Sequence, residues 1–215
     1  MMKRIVGAGL AAVTLLGAGA AAAAPNDAGP DLGLRLGYGI AMGDAAKNAA
    51  MSDGVKGQIP IWIDAGYRFN PNIMAGLYFS YGFAQLADKA CPSGADCSAH
   101  DMRLGIQGQY RFSPGENINP WVGVGFGLEW AGYSASAGGA EAKSSFNGIE
   151  FLDLQGGADF KVADCLGIGP FLSFSLGQYN SGSVTVPGLG TVDGDITNKA
   201  MHEWLMFGVR GVFEL

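Results

Sequence analysis

Leu32-Gly-Leu34-Arg-Leu36-Gly-Tyr38-Gly-Ile40 decides the fold. Every even position is apolar, and every odd one is glycine or Arg35. Successive side chains of a strand point to opposite faces, so this stretch has one greasy face and one small or charged face. A helix would bring residues three or four apart together, and no stretch beyond Ala24 sustains that spacing.

The same alternation recurs over 61–69, 73–83, 102–112, 122–130, 152–162, 168–176 and 202–215, which makes eight strands in all. Their connections alternate in length. Those at 70–72, 113–119 and 163–167 are short, and those at 41–58, 86–100, 134–147 and 180–200 are long and rich in Gly, Ser, Ala, Asp and Lys. An up-and-down antiparallel barrel places all the short turns on one rim and all the long loops on the other. Composition agrees. With 36 glycines and only 15% charged residues, the chain is too apolar and aromatic for a disordered segment and lacks the every-third glycine of collagen. A formal net charge of -6 excludes nucleic acid as a partner.

Alternation does not say which face points inward. A soluble eight-stranded barrel would bury the apolar face and need a generously charged exterior. Here the second face is mostly Gly, Ser and Gln with a few ions, and the greasy face is uncharged through the middle of every strand. Strands of about 10 residues match a tilted crossing of a bilayer's apolar band. Aromatics gather at both ends of the greasy face. Tyr67, Phe69, Tyr110, Phe112, Phe160 and Phe213 lie at the short-turn end, and Tyr38, Tyr81, Phe83 and Trp130 at the long-loop end. The expectation is an all-β, eight-stranded antiparallel up-and-down transmembrane barrel over 32–215, with short periplasmic turns and long extracellular loops.

The segment 1–24 has the parts of a cleaved secretory signal. Lys3 and Arg4 precede an apolar run and then small residues, and 25–31 form a short lead into the barrel. Cleavage falls within a residue or two of Ala24, and losing Lys3 and Arg4 takes the charge from -6 to -8. Export fits a disulfide between Cys91 and Cys97, six residues apart around Pro92 and Gly94. Zinc would need two further ligands, and His100 is the only candidate nearby. Cys165 reads as a half-buried turn residue.

The inward face carries Arg35, Asp64, Arg68, Arg103, Arg111, Glu129, Asp153, Asp159, Lys161 and Arg210, with Glu214 near the lower rim. Buried charges are costly unless paired, and both signs are available. The expectation is a compensated charge network in a packed lumen, without an open ion pore, with bulky Trp62, Tyr78, Phe171 and Trp204 set among inward glycines. Catalytic signals are thin. His100 and His202 read as rim residues, solvated or hydrogen-bonded, and His202 and Glu203 face opposite ways. Gly123-Val-Gly125-Phe-Gly127 lacks the spacing and the following helix of a dinucleotide loop. Asp193-Gly194-Asp195 reads as a solvated turn. No catalytic residue, cofactor or metal ligand is assigned.

Taken with the terminal Gly211-Val-Phe213-Glu-Leu215, the pattern resembles the small eight-stranded outer-membrane barrels of the OmpA transmembrane-domain, OmpX-like and OmpW-like group. The resemblance covers the chain from about Asp31 to Leu215. It implies insertion into the outer membrane of a diderm bacterium by the barrel assembly machinery, with membrane lipid and lipopolysaccharide as neighbours. Because the chain ends at the last strand, no peptidoglycan-binding domain is expected after the barrel. The family's assembly signal prefers a terminal aromatic, and here Leu215 is last with Phe213 two before it. Three roles stay open. The first is a structural or surface-interaction barrel with an unidentified loop partner, the second a narrow channel for small or hydrophobic solutes, and the third a lipid-modifying enzyme.

Overall fold

The computed structural model describes residues 28–215. The signal segment 1–24 and the start of the 25–31 lead lie outside the described residues. In chain order the elements are β1 (Gly29–Ala46), β2 (Ala49–Ala50), the one-turn helix α1 (Met51–Gly54), β3 (Val55–Arg68), β4 (Ile73–Leu86), β5 (Asp96–Arg111), β6 (Ile118–Ala137), β7 (Ala140–Ala163), β8 (Leu166–Val186), β9 (Gly190–Asp195) and β10 (His202–Glu214). Neighbours pair antiparallel in the order β1, β3, β4, β5, β6, β7, β8, β10, and β10 pairs back onto β1. The sheet therefore closes as an eight-stranded barrel, and closure satisfies backbone hydrogen bonds that an open edge would leave bare in lipid.

Alternation sets the two surfaces. Leu34, Leu36, Ile63, Leu77, Val124, Phe126, Leu172 and Val209 stand on the outer wall, each more than half exposed. Arg35, Trp62, Arg68, Asp153 and Arg210 are completely buried inside. Charge inside and hydrocarbon outside is the arrangement of a barrel whose solvent is lipid.

Glycine makes room for large inward rings. A Cβ on Gly105 would collide with the Tyr78 ring, and one on Gly127 would stand 2.9 Å from its hydroxyl. The alternate glycines of β6 are the concave side of that packing.

The short turns are tight. The Asn70 side chain accepts hydrogen bonds from the backbone N–H of Asn72 and of Ile73, both at 2.9 Å, closing the β3–β4 turn. The stretches expected as long loops are more structured than their composition implies. Residues 134–147 are a continuous β6–β7 hairpin that reverses at Gly138 and Gly139, both at positive φ. Backbone pairing continues past the apolar band because hydroxyl pairs replace apolar ones: Ser98 with Ser134 at 2.9 Å, Ser145 with Ser183 at 2.8 Å, and Thr185 with Thr191 at 2.8 Å. Strands β6 to β9 thus project outward as one wall. Cys91 and Cys97 form a disulfide in the second outer loop, and Cys165 sits half-buried in the β7–β8 turn.

Candidate functional site

The interior is layered. At the periplasmic end, Asp31 and Glu214 alternate with Arg68 and Arg111. Arg111 reaches Asp31 at 2.6 Å and Glu214 at 2.7 Å, and Arg68 reaches them at 3.2 and 3.1 Å. Four strands, β1, β3, β5 and β10, contribute one member each, so the quartet ties the barrel across its width. Strand β1 begins at Gly29, which makes Asp31 part of the wall rather than of the lead.

In the middle layer Arg35 grips Asp64 through Nε at 2.7 Å and Nη2 at 2.9 Å, the planar two-point geometry that guanidinium favours. Arg35 also donates to Gln155 at 2.8 Å and Gln107 at 3.1 Å. Gln107 returns a bond to Asp64 at 2.7 Å, and Asp153 accepts from Gln155 at 2.6 Å and from Ser173. Arg35 lies 4.7 Å from the centre of the Trp62 ring, and Arg210 lies 4.2 Å from that of Trp121. The nearest carboxylate to Arg210, Asp159, is 4.0 Å away, so ring-face attraction supplements a weak ion pair.

In the outer layer one guanidinium serves three carboxylates. Arg103 stands 3.0 Å from Asp101, 3.3 Å from Glu129 and 3.2 Å from Glu150. His202 Nε2 meets Glu129 at 2.7 Å, Tyr179 donates to Glu129 at 3.3 Å, and Tyr78 donates to Glu150.

Above this layer the barrel opens into a cavity of about 650 Å³. Trp204, Tyr179 and Asp101 line it with Ala84, Ala99, Ala131 and Phe146, and Met51 of α1 closes over it. The outer loops are tied around it by backbone bonds from Asp44 to Met201 and from Lys47 to Asn198, at 3.0 and 2.9 Å.

Nine of the ten expected lumen residues lie buried inside: Arg35, Asp64, Arg68, Arg103, Arg111, Glu129, Asp153, Asp159 and Arg210. Lys161 does not. It stands at the lower end of β7, where pairing to β8 slips between Lys161 and Ala163, and its ammonium meets the exposed Asp164 at 3.1 Å. A flexible stem at a strand end reaches water more cheaply than it enters the lumen. His202 is not a rim residue either. It is fully buried, stacked on Tyr179 at 4.2 Å between ring centres, because its inward face coincides with the Glu129 layer. His100 lies half-buried and stacks on Tyr81 at 5.6 Å.

Alternation misses Glu150 for a definite reason. A bulge between Glu150 and Leu152 shifts the phase of β7, so Glu150 and Asp153 both point inward although three residues separate them. Asp101 and Trp121 were legible as one more step of the inward sets of β5 and β6.

The chain matches the outer membrane protein beta-barrel domain over residues 8–201 and belongs to that family. It is a small eight-stranded outer-membrane barrel of the OmpA, OmpX and OmpW type. Among solved structures it is similar to Neisserial surface protein A, at TM-score 0.51 and 17% identity over 88% of this chain and 99% of that one. It is also similar to a major outer membrane protein from Thermus thermophilus, at TM-score 0.54 and 10% identity over 86% and 99%. OprG from Pseudomonas aeruginosa aligns over 90% of this chain and 100% of its own, at 13% identity and TM-score 0.47. No curated protein matches the chain.

Proposed function

We propose that this outer-membrane barrel is plugged and works at its outer face, in a structural or surface-interaction role. One observation carries the reading. Charge pairs and stacked rings occupy the lumen from the periplasmic quartet to the Arg103 layer, whereas the extracellular mouth holds the 650 Å³ cavity and the projecting β6–β9 wall. A pore for ions lines itself with one sign of charge and water, not with interlocked opposites.

A second reading, a route for small or hydrophobic solutes, is favoured by the apolar walls of that cavity. No reaction is assigned to the chain. On this reading residues 1–24 direct export and are cleaved, the barrel assembly machinery inserts the barrel, and lipid and lipopolysaccharide surround it.

Planar bilayers test the plug. The unmodified protein is expected to show no steady conductance. A steady, large conductance would replace the plug with a channel.

A further inference from the structure

Above the bilayer the two faces of the wall exchange character. Residues directly opposite each other on paired strands share a face of the sheet. Trp130, on the outward face of β6, pairs with Asn147, and Asn147 pairs with Ser181. Further out on the same face Ser145 pairs with Ser183, and Thr185 with Thr191. The outward face, greasy within the bilayer, is thus polar beyond it. The opposite face turns apolar, with Ala131, Tyr133 and Phe146 lining the vestibule at the outer mouth.

Strands β6, β7 and β8 run through this change without a break, over 20, 24 and 21 residues. The polar face therefore stands directly above the acyl chains that its lower part meets, at the level of the outer leaflet's sugars. Its chemistry suits them. The Ser145–Ser183 and Thr185–Thr191 hydroxyls are bonded in pairs at 2.8 Å. Each pair keeps one O–H free to donate and lone pairs free to accept. Phosphate is a poor match. Lys143 is the only ammonium or guanidinium of the face among the described residues, Glu141 takes it at 3.1 Å, and Asp193 and Asp195 stand on the neighbouring β9.

A ring platform adjoins the hydroxyls. The half-buried His100 ring lies parallel to Tyr81, within 6° at 5.6 Å between centres. It covers Gly132, where a Cβ would stand 2.3 Å from the ring. His100 pairs with Gly132, and Gly132 with Ser145. An electron-rich ring face attracts the C–H side of a sugar, as hydroxyls take its O–H groups.

We propose that this hydroxyl face, with the His100–Tyr81 platform at its foot, binds neutral sugar rings of lipopolysaccharide in the protein's own membrane. The inference rests on the reading of the projecting wall as an interaction surface and names its partner. It is independent of whether the lumen conducts.

The test uses the intact protein in nanodiscs that contain either lipopolysaccharide with its core sugars or lipid A alone. The readouts are NMR cross-relaxation from isotope-labelled sugar protons, and the glycolipid retained on transfer to detergent. Cross-relaxation is expected to the Thr185 and Thr191 methyls and to the His100 ring. Retention of the core-bearing form should exceed that of lipid A by about tenfold. Ser145→Val combined with Ser183→Val should bring it down to the lipid A level, whereas Lys143→Gln should leave it within about twofold. Loss in Lys143→Gln with no loss in the double valine variant would show that phosphate is held, and would overturn the proposal. So would equal retention of the two glycolipids without cross-relaxation to the sugars. Contacts seen only with free oligosaccharide added to lipid A nanodiscs would mean a glycan from outside the membrane, and would overturn the assignment to the protein's own leaflet. A steady conductance in planar bilayers would remove the plug and leave these results standing. The comparison of the two glycolipids on the unmodified barrel decides the matter even where a variant fails to assemble.

Discussion

Asp64 and Asp101 are both buried acids on the inner wall, and their surroundings differ. Asp64 holds a single guanidinium through both oxygens, at 2.7 and 2.9 Å, with Gln107 completing the set at 2.7 Å. Asp101 shares its guanidinium with two other carboxylates, beside an apolar cavity. Matched charges and stacked rings fill the lower lumen. One guanidinium shared among three acids lies under the open volume of the outer mouth. The same strands run through both regions. What changes along them is the size of the inward residue, from Trp62, Trp121 and Arg35 in the middle to Ala84, Ala99 and Ala131 at the top.

The largest effect expected from this contrast belongs to the middle layer. Asp64→Ala leaves Arg35 buried without a carboxylate of its own, and should lower unfolding stability by about 3–5 kcal/mol. Urea titration of the barrel in detergent, followed by tryptophan fluorescence, measures it. In the outer layer Glu129→Ala should cost only about 2 kcal/mol, since Arg103 retains Asp101 and Glu150. Equal losses from the two substitutions would erase the distinction between plug and mouth.

Two smaller effects sharpen the outer side. Replacing both Cys91 and Cys97 by Ser opens a loop of sequence separation six and should cost at most about 2 kcal/mol. The same titration without reductant measures it, and a loss as large as that of Asp64→Ala would place the outer loops within the barrel's cooperative core. Smallest of all is Lys56→Ala. The Lys56–Asp88 pair measures 2.5 Å, but its side chains are 52% and 89% exposed. Water screens it, and the change should lie within about 0.5 kcal/mol. A greater loss there would mean that the outer ion pairs hold the mouth together.

Much of this was readable before any coordinate. The period-two pattern from Leu32 onward, the alternating connections and the two girdles define a lipid-facing barrel, because a strand's side chains alternate whatever the rest of the chain does. The inward charges followed from the same parity, down to Arg35, Asp64 and Arg103. Parity carries no information across a bulge, which is why Glu150 escaped it, nor at a strand end, which is why Lys161 was misplaced. The hairpin at 134–147 was hidden because serine and alanine on both faces leave no hydrophobic contrast.

Pairing across the barrel is a different matter. Sequence separation says nothing about which of eight strands faces which, so the meeting of Arg35 with Gln155 across 120 residues, or of His202 with Glu129 across 73, exists only in the closed structure. The vestibule is also a tertiary object. Small inward residues on several strands, each unremarkable where it stands, become a cavity because closure brings their faces together over one acidic floor. Local side-chain periodicity determined the wall of this protein, and the geometry of closure decided what fills it and where it stays open.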